Sequence, residues 1–213
     1  MLCAMKCFRI ITFLLVFALY GRAQDIVYHS MKDFAAQKGD TVQLPATVTK
    51  DKRTINQQLL TTGGDYSITS NRAVIRDGLK RRYFAVLIDS KLYVNCKKLK
   101  IKKFRFGKCY APAMAINDKI YFRAYPVGPA ALAVVNRKIG MGAVGEAVAS
   151  SAAITQRVYY ELDCQTGTVE FVGKEKMKQL LSEYPELLRK YLDEKNEEAE
   201  VAGKYLEALK MLK

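Results

Sequence analysis

Residues 81–96 read Arg-Arg-Tyr-Phe-Ala-Val-Leu-Ile-Asp-Ser-Lys-Leu-Tyr-Val-Asn-Cys: two apolar runs, Tyr83–Ile88 and Leu92–Cys96, around the polar break Asp89-Ser90-Lys91. Val, Ile, Tyr and Phe suit a pleated, half-buried surface. The break is short enough for a hairpin loop, and Asp and Ser bond readily to nearby backbone. The stretch predicts an antiparallel hairpin at the centre of a small sheet.

Other segments fit around it. Ser30 and Asp33 suit the start of a short helix, Met31–Lys38, ending at Gly39. Thr41–Thr49 alternates weakly and contains Pro45, which confines a strand there to a sheet edge. Gly63-Gly64-Asp65-Tyr66 is a turn into a strand at Ser67–Thr69; its backbone N–H groups could also cradle an anion. Asn117-Asp118 turns into Lys119–Tyr125, where Ile120, Phe122 and Ala124 face opposite to Tyr121, Arg123 and Tyr125. Arg157–Leu162 and Thr168–Val172 form a second hairpin across Asp163–Gly167.

From Lys174 the apolar period becomes helical. Met177, Leu180 and Leu181 make one stripe, Pro185 opens a new helix, and Leu188, Leu192, Ala199, Ala202, Leu206 and Leu209 continue at three-and-four spacing. Glu186–Lys190 and Glu200–Lys204 are spaced to pair. Lys195 occupies a stripe position and Gly203 weakens the interior, so the stripe suits packing on its own domain or a partner helix better than a long coiled coil.

The chain ahead of this domain has the pattern of a secretory signal peptide over residues 1–23. Lys6 and Arg9 precede the apolar run from Ile10 to Tyr20, and Gly21-Arg22-Ala23 suits a signal peptidase. The run is shorter than the ~20 apolar residues of a membrane anchor. Cys3 and Cys7 precede it, whereas a lipid-attachment cysteine would follow. Cleavage before Gln24 lowers the formal charge from +14 to +11.

That charge is uneven. Lys174–Lys213 balances nine Lys and Arg with nine Asp and Glu. The excess lies in the body, above all in Lys97–Lys108. Leu99 and Ile101 alternate with Lys98, Lys100 and Lys102; after Lys103 the alternation resumes as Phe104, Arg105, Phe106, a phase slip of the kind a β-bulge produces. Lys98, Lys100, Lys102 and Arg105 are thus a candidate anion-binding stripe. They equally suit an edge strand that lysines guard against aggregation.

Pro129–Ile154 is dominated by Ala, Val and Gly. Gly140-Met-Gly142-Ala-Val-Gly145 matches G-x-G-x-x-G, with Asp163 downstream. Asn136-Arg137-Lys138 stands where an apolar strand should precede the first glycine, and too little chain remains for further β–α units. No dinucleotide or other cofactor is expected. Residues 129–155 read instead as a helical insertion. Its small-residue face at Gly142, Glu146, Ala149, Ser150 and Ala153 would permit self-association or contact with a membrane surface.

No catalytic constellation is visible. His29 is the single histidine, no motif surrounds any Ser or Cys, and no cluster has metal-ligand spacing. Cys96, Cys109 and Cys164 remain after cleavage, allowing at most one internal disulfide. Cys96 and Cys109, at the ends of neighbouring strands, are a conceivable pair.

The leader, Gly63-Gly64-Asp65-Tyr66, Leu92-Tyr93-Val94-Asn95-Cys96, the Gly/Ala insertion, and Asp163 with Thr166-Gly167 followed by Pro185-Glu186-Leu187 resemble a group of secreted proteins of Bacteroidota built on a domain of unknown function. The resemblance implies export to the periplasm, envelope or extracellular space and supplies no chemistry.

The chain is therefore expected to be an α+β protein: a signal peptide at 1–23, a mostly antiparallel sheet over 24–172 with its helical insertion, and a C-terminal helical segment at 173–213. The expected role is a non-enzymatic binding or structural module. Its partner would be an anionic envelope component or a membrane surface, without specific nucleic acid. The alternatives are a membrane-surface or self-assembling protein acting through 129–155, and a hydrolase of unrecognised type.

Overall fold

In the computed structural model, which describes residues 24–54, 57, 62–131, 133–134, 156–194 and 199–213, the hairpin at residues 81–96 is an interior part of the sheet. β5 (Ala85–Ile88) and β6 (Lys91–Asn95) pair antiparallel across the two-residue turn Asp89-Ser90. Both turn residues take positive φ, 48° and 62°, the twist that lets two strands return on each other.

Among the described residues ten strands form one sheet. Its main path runs β12 (Val169–Phe171), β11 (Val158–Asp163), β10 (Lys119–Ala124), β9 (Tyr110–Ile116), β6, β5, β1 (Asp25–Tyr28) and β2 (Asp40–Val42). All the pairings are antiparallel. A side hairpin, β3 (Ala46–Lys50) with β4 (Tyr66–Ser70), joins at Tyr66 opposite Tyr110. The expected strand Thr41–Thr49 is in fact two, β2 and β3, broken at Leu44-Pro45; both lie at the periphery, where a missing N–H costs least. Ser30 caps helix α1 (Met31–Ala35) by accepting from Asp33 N at 3.1 Å. The helix stops three residues earlier than expected because Gln37 adopts φ 53°.

Both faces of the sheet are covered. On one, Ala85, Val94, Ala111, Ile120, Phe122, Tyr160 and Leu162 form a core closed by Leu99, Ile101 and Phe106 of the basic segment, with Phe34 of α1 against it. Residues 129–131 and 133–134 are helical and contribute Ala130 and Val134. The rest of the expected Gly/Ala insertion, including Gly140–Gly145 and the face from Gly142 to Ala153, lies outside the described residues, as do residues 1–23 and Lys195.

The opposite face carries two further clusters. Val86, Ile88, Tyr93 and Tyr110 lie under Leu44 of the β2–β3 break, Ile68 of the side hairpin and Leu79 of the π-helical turn Gly78–Arg82, which follows α2 (Ala73–Asp77). Ile116 and Tyr121 lie under the C-terminal helices α3 (Lys174–Leu181), α4 (Pro185–Leu192) and α5 (Ala199–Leu212). The helical stripe packs on its own sheet, with one change. Tyr191, 7 % exposed, takes the inward place expected for Leu192, which is 49 % exposed. Gly203 has a packing reason: a Cβ there would meet the Tyr159 ring, so glycine lets α5 lie close to β11. The expected i,i+4 pairs are replaced by Glu186–Arg189, Glu200–Arg123 and Lys204–Glu194. No helix among the described residues is long and apolar enough to cross a membrane.

Candidate functional site

The basic segment leaves the sheet from the ends of two neighbouring strands. Asn95, 3 % exposed, ends β6: its Oδ1 accepts from Lys97 N, and its Nδ2 donates to Leu79 O and Tyr83 O. Those bonds start the 3-10 turn Cys96–Lys98. Cys96 N donates to Cys109 O at 3.1 Å and closes the neck of the excursion. Beyond the neck, β7 (Lys100–Ile101) and β8 (Phe104–Arg105) form a hairpin of their own.

This corrects the expected β-bulge. Ile101 faces Phe104, so Lys102-Lys103 is a tight two-residue turn, and Lys102 takes φ 52°. Lysine is not a usual residue for such a turn. Burial of Leu99, Ile101 and Phe106, each under 5 % exposed, anchors the segment, with Phe106 edge-on to Phe122 and Tyr160. Phe104, expected on the apolar side, instead lies at the rim, 40 % exposed, against Gly128.

Every cation of the expected stripe is exposed: Lys98, Lys100, Lys102 and Arg105, together with Lys97 and Lys103. Among the described residues no carboxylate forms an ion pair with any of these six. The carboxylate of Asp77 is engaged by Arg81 and Arg82, and Lys98 Nζ donates to the carbonyl of Arg82. Among the described residues the hairpin's cations thus carry no direct ion pair. Between the hairpin and β12 runs a trough. One cavity, about 230 Å³, is bordered by Lys97, Lys98, Lys100 and Arg105 over Leu99 and Val169. The next, about 560 Å³, shares Lys100 and Val169 and continues past Ile101, Lys102, Thr168 and Phe171; Glu170 also borders it, with its carboxylate paired to Lys176 Nζ at 2.7 Å.

A second polar cluster sits at the other side of the neck. Cys109, at φ 77°, donates from Sγ to Asp51 Oδ2 at 3.3 Å. Arg53 Nη2 donates to the same carboxylate oxygen at 2.7 Å and to Cys109 Sγ at 3.1 Å. Desolvation, and then the Asp51 carboxylate, push the Cys109 thiol up, in keeping with its place as a hydrogen-bond donor. Burial likewise pushes Cys96 far up and Cys164 to about 12. All three are free thiols; the conceivable Cys96–Cys109 bridge is not formed, and the two side chains instead serve the core and the Asp51–Arg53 cluster. Beside them Arg157 grips Asp65 through two bonds, 2.8 and 2.9 Å, and stacks 3.3 Å from the Tyr125 ring centroid. Asp65 of the Gly-Gly-Asp turn thus ties the side hairpin to the base of β11. Gly63-Gly64 packs on the backbone of Gly107–Ala111 and serves as a turn.

A further concavity, about 830 Å³, lies between the tips of the two central hairpins and is bordered by Tyr66, Tyr93, Met114, Asp118, Glu207 and Met211. His29 bonds Asp40 at the exposed end of β1. No group of three or more His, Cys, Asp and Glu among the described residues has metal-holding geometry. Sequence reasoning missed the buried Glu161, 3 % exposed. It accepts from Lys119 Nζ at 2.7 Å and Tyr121 Oη at 2.6 Å, with Lys176 Nζ at 3.1 Å. Strand alternation placed Glu161 opposite the core face, and only the folding back of α3 covers it.

A family model described as a family of unknown function, DUF6563, matches residues 26–213. No curated protein and no solved structure matches the chain.

Proposed function

We propose, for a chain that belongs to this family of unknown function, the role of a non-enzymatic envelope or extracellular module that binds an anionic ligand on its basic hairpin. The observation that carries the reading is the set of six exposed cations between Lys97 and Arg105, none ion-paired among the described residues and four of them around a single cavity. A guard against edge aggregation accounts for lysines along an exposed strand edge. Six, held by a buried apolar underside, concentrate positive potential where a polyanion is drawn in. Export is supported by the leader pattern and by the family match opening at residue 26, two residues beyond the expected mature start Gln24. Amino-terminal sequencing of the protein from its native envelope is expected to begin at Gln24; a chain beginning at Met1 overturns export.

The binding reading is tested by reversing Lys98, Lys100, Lys102 and Arg105 to Glu together. Surface changes of this kind move stability by about 0.5 kcal/mol or less each. The variant should remain folded yet lose its salt-sensitive retention on an immobilised polyanion such as heparin. Retention equal to that of the unaltered protein overturns the reading.

A further inference from the structure

The trough offers more than charge. β12 is the last strand of the sheet. Asp163 N bonds Thr168 O at 3.0 Å and Val172 N bonds Tyr159 O at 2.9 Å, and the register between them is continuous. Antiparallel pairs alternate between bonded and non-bonded. Thr168, Glu170 and Val172 therefore turn their backbone groups to β11, while Val169 and Phe171 turn theirs outward. Across the trough, the bond from Phe106 N to Leu99 O fixes the same alternation in β7–β8, and Lys100 turns its N–H and C=O away from β8. Lys100 and Val169 border both cavities, and Phe171 borders the larger. Thr168 adds a hydroxyl, which accepts from Thr166 Oγ1 at 3.0 Å.

Cations, outward backbone donors and acceptors, a hydroxyl and an apolar strip thus line two adjoining cavities, whose one carboxylate among the lining residues, Glu170, is neutralised by Lys176. Sequence-independent binding to phosphate backbones and to anionic membranes is driven mainly by exposed charge and needs no apolar strip. The additional groups suit a ligand that carries anionic oxygens, hydroxyls and C–H faces on one body. The geometry points to an acidic saccharide, a uronate- or sulfate-bearing ring, as the ligand of this site. Its anionic group meets Lys97, Lys100 and Arg105, and its hydroxyls meet the backbone of Val169 and Phe171 and the hydroxyl of Thr168. The larger cavity, about 560 Å³, lies within the ~300–1,000 Å³ usual for small-molecule sites. This inference rests on the anion-binding reading and specifies its ligand.

The test compares the purified protein's affinity for oligogalacturonate, dextran sulfate, polyglutamate of matched charge, and phosphatidylglycerol vesicles. At near-physiological salt, at least one of the two saccharides should bind about tenfold more tightly than polyglutamate, a difference of about 1.4 kcal/mol. The stronger saccharide shows whether carboxylate or sulfate is preferred. Thr168→Val should bring that saccharide and polyglutamate within about threefold of each other, roughly half that free energy, without weakening polyglutamate. Thr168→Ser, which keeps the hydroxyl, should retain the preference. Polyglutamate or vesicles bound as tightly as both saccharides overturn the inference, as does a preference untouched by Thr168→Val. Binding that depends on the four reversed charges but shows no saccharide preference ends this inference alone. The absence of binding to every polyanion ends the anion-binding reading with it.

Discussion

Gly64→Ala should abolish the folded state: the variant is expected in the insoluble fraction or, where soluble, without a cooperative unfolding transition. A Cβ at this position would fall within the van der Waals surface of the Tyr110 carbonyl and of Ala111 N. The obstacle is backbone, which cannot rotate aside as a side chain would. It is also backbone held on both flanks. Tyr110 pairs with Asn95 of β6 on one side and Tyr66 of β4 on the other, and the neighbouring Gly63 O accepts from Tyr125 N at 3.0 Å. Relieving the clash means parting the side hairpin from β9. That would uncover Ile68, Leu44 and Tyr110 of the cluster beneath it and strain the Arg53 bond to Gly64 O. Overpacking in an adaptable core costs about 1–3 kcal/mol. Here adaptation removes a whole cluster, and the expected loss of about 4 kcal/mol or more is comparable to the total stability of a marginal domain. Thermal unfolding followed by circular dichroism decides the matter. A variant melting within a few degrees of the parent shows that the strands have room to separate.

The sequence disclosed most about the elements whose periodicity is unambiguous. Asp89-Ser90 between two β-rich runs, and the alternation at Ile120–Ala124 and Val158–Leu162, mark strands that the structure contains, with Ile120, Phe122 and Ala124 on the core face. What stayed hidden is what a second layer imposes. Tyr121, Tyr159 and Glu161 occupy the polar phase of their strands, which reads as a solvated face until the C-terminal helices fold back over it. Partners chosen from distant chain, Arg123 for Glu200 and Glu194 for Lys204, displaced the local i,i+4 pairs for the same reason. In the candidate site the four cations were visible in the alternation. The turn at Lys102-Lys103 was not, because neither residue carries turn chemistry and its conformation is set by the burial of Leu99, Ile101 and Phe106. The trough needed the second hairpin as its other wall, a pairing of residues 100 and 169 that no local pattern announces.

The second large effect belongs to Glu161. Replacing it with Gln should lower stability at neutral pH by about 2–3 kcal/mol, and that difference should shrink in acid. Glu161 carries an ionised group at 3 % exposure. Desolvation pushes its pKa up, but the bonds from Lys119, Tyr121 and Lys176 outweigh that penalty and hold it below the ordinary value of 4.5. A carboxyl whose folded value is depressed stabilises the fold at pH above its unfolded value. The contribution is lost as pH falls from about 4.5 through the folded value. Truncating one partner of a buried ion pair costs about 3–5 kcal/mol, because the other charge is stranded. The smaller figure expected here reflects Lys119 and Lys176, whose side chains are 34 % and 20 % exposed and can turn to water, and the hydrogen bonds that an amide retains. Urea titrations of both proteins at pH 7 and near pH 3 supply the test. Convergence of the two midpoints in acid is the expected result, because protonation does to the carboxylate what the substitution did. A gap of constant size across that range would mean that the difference does not come from the carboxylate's charge, and that this charge gives the sheet and α3 no net attraction.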